Sequence, residues 1–244
     1  MEQTTIIVIT ILAFSVVQSV FGMGLLVFGT PTLLLLGLPF PVALGWLLPA
    51  SLAISTIQVA GGYSYARSTW VHARPLLCLL PLVAVLALVL TFNLHAKIDV
   101  AIGVTMLLAS AIRINIKLQQ RLAQFIARAE NPYLLVMGAV HGLTNMGGAL
   151  LSVYASTVYR EKTEIRATIA TYYLSFGIVQ IATIAVLKPE VLGLHSVIAA
   201  IVAALVYGMV GQLIFQRASG VFYDKAITGF IAVYGAAVLI KSSF

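Results

Sequence analysis

The sequence predicts an all-α polytopic membrane protein made of two inverted repeats, each a broken re-entrant helical hairpin followed by three transmembrane helices. Three observations predict it. Hydrophobic residues make up 61% of the 244 residues and charged ones only 9%, against about 45–50% and about 25% in an ordinary soluble domain. Two apolar segments are too long for a single crossing, and each carries a helix-breaking cluster near its middle. The lysines and arginines gather on one face only if those two segments turn back.

The first repeat, 1–116, contains the hairpin 4–38 and crossings at 42–62, 75–94 and 98–116. A polar connection, 117–131, leads to the second repeat, 132–244, with the hairpin 132–158 and crossings at 167–187, 193–214 and 226–241. The six single segments have lengths near one crossing, about 17–25 residues, with 226–241 at the short limit. As one straight helix, 4–38 would measure roughly 52 Å, against a hydrocarbon core of about 30 Å. Gly22-Met23-Gly24 interrupts it, and Asn145-Met146-Gly147-Gly148 interrupts 132–158. Such a segment is either a tilted helix or a hairpin of two half-helices that meet at depth.

Charge decides between them. If all eight segments cross, the basic residues divide eight against six, which is no bias. If the two broken segments are hairpins, one face holds Arg67, Arg74, Arg113, Lys117, Arg121, Arg128, Arg160, Lys162, Arg166, Arg217 and Lys225, and the other only Lys97, Lys188 and Lys241. Eleven against three is what cytoplasmic loops rich in Lys and Arg produce. Both termini are then expected outside the cytoplasm. The acidic start, Met1-Glu2-Gln3, is unlike a cleavable signal, so the first apolar run is expected to stay in the mature protein.

Each half holds a hairpin and three crossings, so the second half enters from the opposite face, a plan found in secondary transporters. At a shift of 123 residues Val17-Gln18 faces Val140-His141 and Met23-Gly24 faces Met146-Gly147; one residue of slippage later, Gln58 faces Gln180.

The same residues restrict function. A single cysteine, Cys78, excludes a disulfide scaffold, a zinc ribbon and a CxxC redox centre, and it reads as a packing residue. The net charge of +7 is spread between apolar spans and reads as topology signal, so nucleic acid is not expected as a partner. No acidic residue falls at depth in a predicted crossing, Asp99 sitting at the very end of 98–116 and the others at ends or in loops, which removes the carboxylate relays of cation-coupled pumps. Neutral or weakly basic groups remain at depth: Gln18, Thr30, Ser51, Ser55, Gln58, His141, Thr144, Asn145, Thr171, Ser175 and Gln180. After each break a half-helix begins, near Leu25 and near Ala149, with partnerless first-turn amides and a positive dipole end. Glycine lets a ligand approach that backbone, and the arrangement suits an anion.

The candidate substrate-binding residues are therefore Gln18, Gly22, Gly24, Gln58, His141, Thr144, Asn145, Gly147, Gly148 and Gln180. Plainer readings stand beside these. The glycines also suit close helix packing, Gln58 and Gln180 suit interhelical hydrogen bonding, and His141 could serve as a structural donor. Trp46, Trp70, Tyr63 and Tyr65 read as interfacial anchors, Pro31 and Pro49 as helix kinks, and one of Tyr172 and Tyr173 as facing the pocket. No nucleophile–base pair or metal spacing is evident, so neither an enzyme nor a metal or cofactor is expected.

The run Gln18-Ser19-Val20-Phe21-Gly22-Met23-Gly24, then Pro31, Leu33–Gly37 and Ala43–Ser55, resembles the TauE/SafE sulfite-exporter family. So does His141-Gly142-Leu143-Thr144-Asn145-Met146-Gly147-Gly148, followed by Lys162 and Arg166-Ala167-Thr168. The first motif holds fewer glycines than the family's usual one. The resemblance implies a bacterial inner-membrane permease for sulfite, an organosulfonate or thiosulfate, with the lipid bilayer and the small anion as its partners and room for a homodimer. Export fits a negative cell interior, which favours outward movement of each anionic charge by about 2.3 kcal/mol per 100 mV. The alternatives are an anion channel and a proton-coupled uptake permease for thiosulfate or a sulfonate.

Overall fold

The computed structural model describes residues 2–66, 74–92 and 98–242. These are helical almost throughout, and no strand occurs among them. The helices are α1 (Glu2–Phe21), α2 (Leu25–Leu35), α3 (Phe40–Gly61), α4 (Arg74–Phe92), α5 (Ile98–Ile114), α6 (Ile116–Thr144), α7 (Gly147–Val158), α8 (Lys162–Leu187), α9 (Leu194–Arg217) and α10 (Gly220–Ser242). From Gln3 onward α1 is long and apolar enough to cross a membrane, as are α3, α4, α8 and α9. The all-α polytopic membrane fold is the one the sequence predicts. Arg67, Trp70 and Lys97 lie outside the described residues.

Both over-long segments are broken, and in the same way. Gly22 ends α1 at φ 79° and Asn145 ends α6 at φ 62°, and the two stand 123 residues apart. Each closes its helix through its own amide, Gly22 to the Gln18 carbonyl and Asn145 to the His141 carbonyl, both at 2.8 Å. This is a left-handed C-cap, which glycine enters freely and asparagine tolerates better than other residues. Side chains cannot replace the glycines cheaply. A methyl group on Gly22 would lie 2.9 Å from the Arg166 carbonyl oxygen, and one on Gly24 would lie 2.9 Å from that of Phe14.

Beyond each break the chain folds back on itself. In the first hairpin the rings of Phe14 and Phe28 sit 6.0 Å apart, and Gly29 lies against Phe14. In the second, the Tyr133 hydroxyl donates to the Leu150 carbonyl at 2.8 Å, and Tyr154 bonds Glu130. The limbs are unequal. In the first hairpin α1 has 20 residues and returns through Leu25–Leu35; in the second α6 has 29 and α7 has 12. The break sits nearer the end of the first limb because the cap residues, not the midpoint of the apolar run, set where the helix stops.

The pair α3 and α8 gives the hairpins their directions. These helices run antiparallel: Gly45 packs on Val191 just past α8, Gly177 on Leu52, and Gly62 on Ala167. The first hairpin leads into the start of α3, at the Val191 end. The second leads into the start of α8, at the Lys162 end. They therefore open toward opposite ends of the bundle. The Lys162 end also gathers basic residues. Lys162 donates to the Phe215 carbonyl at 2.8 Å, Arg166 to that of Ser19 at 3.1 Å, and Arg74 pairs with Glu130 at 3.2 Å.

Close packing locks the second hairpin in place. Gly138 and Gly142 lie one turn apart on α6 and abut the backbone of Cys78 and Leu82 on α4. Small residues at this spacing let two helix backbones approach in a bilayer. Cys78 is accordingly a buried packing residue. Tyr63 and Tyr65 are well exposed, whereas Trp46 is half-buried, with its ring 4.6 Å from that of His195.

Candidate anion site at the helix breaks

The first break is closed by its own side chains. Gln18 reaches past the turn, and its Oε1 accepts the Leu25 amide at 3.2 Å. Its Nε2 donates to the carbonyl and the hydroxyl of Ser51, both at 2.9 Å, and to Ser55 Oγ at 3.3 Å. Gln58 Nε2 then donates to the carbonyls of Gln18 and Ser19, at 3.0 and 3.1 Å. The orphan amide that begins α2 thus has an internal acceptor, and α1 is tied to α3.

The second break keeps the same plan with different chemistry. His141 stands where Gln18 stands, and its Nε2 pairs with Gln180 Oε1 at 3.2 Å. Gln180 Nε2 donates to Asn145 Oδ1 at 3.1 Å, and Asn145 Nδ2 donates to Thr30 Oγ1 at 2.9 Å. Thr144 turns its hydroxyl to the Met146 amide at 3.0 Å, which holds the turn shut. The other edge of the imidazole is unused: Nδ1 is buried with no partner. It faces Gly147, where an added methyl would stand 3.0 Å from it.

The Tyr173 hydroxyl completes the corner. It is fully buried, has no hydrogen-bond partner, and lies so close to Gly148 that a methyl there would overlap it. Val27, in the first turn of α2, touches the same glycine. The first turns of the two half-helices therefore meet. At the start of α7 they bring together the Gly147 and Gly148 amides, which as first-turn groups have no intrahelical acceptor, with a free imidazole nitrogen and a free hydroxyl. Buried polar atoms are nearly always satisfied. At this positive helix end the Tyr173 hydroxyl can donate to a negatively charged ligand, whereas His141 Nδ1, the acceptor edge of an imidazole whose Nε2–H is given to Gln180, takes a donor such as a ligand's own hydroxyl.

The ten residues singled out from the sequence divide between these corners. Gln18, Gly22, Gly24 and Gln58 build the first, and His141, Thr144, Asn145, Gly147, Gly148 and Gln180 the second; Thr30 links them. All are buried, and the polar side chains among them are at most 4% exposed. Both corners are closed to solvent in this conformation.

Tyr173 could be only half anticipated, because a run of two tyrosines does not reveal which ring turns inward. Both rings are fully buried with partnerless hydroxyls; Tyr173 lies against His141 and Gly148, and Tyr172 packs toward Tyr154 and Phe176. Arg113 was missed. The sequence places it among the loop charges, yet its side chain is 2% exposed. It donates to Ser152 O, Ser156 Oγ and Thr228 Oγ1 and pairs with Asp224. A position at the end of a predicted crossing gave no signal of inward direction.

The profile of the sulfite exporter TauE/SafE family matches residues 6–240. No curated protein and no solved structure matches the chain. A profile that takes in both hairpins and every helix after them leaves little of the chain unaccounted for. This multi-pass membrane protein belongs to the sulfite exporter TauE/SafE family, whose members are transporters rather than enzymes.

Proposed function

We propose that the protein exports a small sulfur-containing anion, sulfite or an organosulfonate, across the inner membrane, and binds it where α7 begins. One observation carries this reading: two buried polar atoms, His141 Nδ1 and the Tyr173 hydroxyl, lack partners at the first turn of α7. An oxyanion there takes the Gly147 and Gly148 amides and the tyrosine hydroxyl as donors, and His141 closes the pocket. Gln180 and Asn145 hold the imidazole in place. Gln18 and Gln58 keep the opposite corner rigid.

Two hairpins that open toward opposite ends, capped 123 residues apart at Gly22 and Asn145, support an inverted repeat and alternating access around a fixed site. The basic residues at the Lys162 end support placing that end in the cytoplasm, with both termini outside. Outward movement of the anion then runs down the membrane potential, by about 2.3 kcal/mol per charge per 100 mV. No coupling ion is required.

Proteoliposomes loaded with sulfite test the reading. Efflux that saturates and accelerates when the substrate-containing side is made negative supports it. Efflux indifferent to the imposed potential removes the driving scheme, and a non-saturating current would make the protein a channel. A thermal-shift screen of sulfite, sulfate, thiosulfate, sulfoacetate, taurine and carboxylates tests the substrate class. Stabilisation by the anions and not by zwitterionic taurine is expected.

A further inference from the structure

A second cationic site lies at the Lys162 end of the bundle. A cavity of about 290 Å³ opens there, and Ser156, Arg160, Lys162, Asp224 and Lys225 line it. Lys162 is held by the carbonyls of Phe215, Gln216 and Ala218. Arg160 and Lys225 are exposed at the rim. Two of the lining residues, Ser156 and Asp224, are also partners of Arg113.

Arg113 is held unequally. Its guanidinium is buried, at 2% exposure, whereas the Asp224 side chain that neutralises it is 59% exposed. The anion of the pair therefore faces water and can leave at little cost, whereas the cation cannot. A buried guanidinium left without a counter-ion is strongly unfavourable, so it draws in another oxyanion if one is at hand. Its planar fork suits sulfite, sulfate or a sulfonate as well as it suits a carboxylate.

Arg113 also grips the helix that starts at the central site. It bonds the Ser152 carbonyl at 3.0 Å and Ser156 Oγ at 2.9 Å. Gly148, Ser152 and Ser156 recur at intervals of four on α7 and so form one stripe along it. The stripe is about 12 Å long and runs from the cavity wall to the glycine beside Tyr173.

We infer that Arg113 is an access site for the transported oxyanion, closed by Asp224, from which the anion passes along the Gly148–Ser152–Ser156 stripe to the start of α7. Its place on a route rests on the transport reading above; the anion site itself does not. Asp224 acts as a tethered stand-in for the substrate. An arriving oxyanion displaces it from Nη2, and one that takes both arms of the fork also draws Nη1 from Ser152 and Ser156, which frees α7 to move.

The test compares the detergent-solubilised full-length protein with Asp224→Asn, Arg113→Gln and the double variant, titrated with sodium sulfate against sodium chloride at equal ionic strength. Asp224→Asn removes the guanidinium's counter-charge. It should be stabilised by sulfate at about tenfold lower concentration than the unaltered protein, and the double variant should lose that gain. The same pattern is expected in a His141→Ala background, which removes the central site. Sulfate that stabilises Asp224→Asn no better than the unaltered protein, or the double variant equally well, overturns the site. So does stabilisation by added phosphatidylglycerol and not by sulfate, which would make the ligand a lipid headgroup. In proteoliposomes, Asp224→Asn should lower the half-saturating sulfite concentration from this face severalfold. An unchanged value beside tighter sulfate binding overturns its place on the route. An unaltered protein that moves no sulfur anion at all refutes the transport reading and leaves the sulfate result standing.

Discussion

The two helix breaks share a backbone and differ in what fills them. Gly22 and Asn145 take the same left-handed turn and make the same amide bond four residues back. At the first break the side chain at that fourth position, Gln18, accepts the next helix's amide and fills its remaining valences on α3. At the second, His141 reaches Gln180 with one nitrogen and leaves the other empty beside Gly147. Residue 25 is leucine, while Gly148, its counterpart at the same shift, is bare and faces a partnerless tyrosine hydroxyl. The first break has its helix-start amide capped and leaves over only an acceptor, Gln58 Oε1, among its site side chains, whereas the second leaves a hydroxyl and an imidazole nitrogen free beside its first-turn amides.

That contrast can be broken by exchanging stability for binding. The largest effect on stability is expected from Gln18→Ala. It strips the Leu25 amide and Ser51 of buried partners, at about 1–3 kcal/mol for each group left unsatisfied. Chemical or thermal unfolding in detergent checks it, and a loss below that of His141→Ala would refute the division of roles. His141→Ala should reverse the pattern. It should weaken sulfite binding by about tenfold or more, equivalent to about 1.4 kcal/mol, with a smaller loss of stability because only one imidazole nitrogen is engaged. Equilibrium binding beside the unfolding curve separates the two.

Gly22→Ala comes next. It forces a Cβ into a left-handed residue and against the Arg166 carbonyl, at a cost of about 1–2 kcal/mol. Stability near that of the unaltered protein would mean that the turn relaxes without penalty. Tyr173→Phe is expected to have the smallest effect on folding. The hydroxyl has no partner to lose, so stability should hold or rise slightly, while anion affinity falls by about fivefold to tenfold for one missing donor. A marked loss of stability would show that the hydroxyl has a structural bond.

Much of this was legible in the sequence, for identifiable reasons. Glycine and asparagine announce helix ends through backbone conformation, a local property, so the breaks fall at Gly22–Gly24 and at Asn145–Met146, just before Gly147 opens α7. The depth of Gln18, Gln58, His141 and Gln180 follows from their place within apolar runs. Side-chain direction is not local. Whether Gln18 would cap its own hairpin or face a ligand depends on Ser51 and Ser55 on another helix. Arg113 looked like a loop charge because Asp224, Ser152 and Thr228, which compensate its burial, come from distant parts of the chain. The connection 117–131 lacks an apolar run, yet it is helical within α6, with an irregular step at Ala129. Good intrinsic helix formers such as Gln, Arg, Ala and Glu suffice for that.

The most direct measurement is equilibrium binding of radiolabelled sulfite to three forms of the purified protein: unaltered, Gln18→Ala and His141→Ala, each checked for folding. Binding retained by Gln18→Ala and lost by His141→Ala is the predicted result. Binding abolished by Gln18→Ala and untouched by His141→Ala would place the anion at the wrong break and contradict the site proposed at the start of α7.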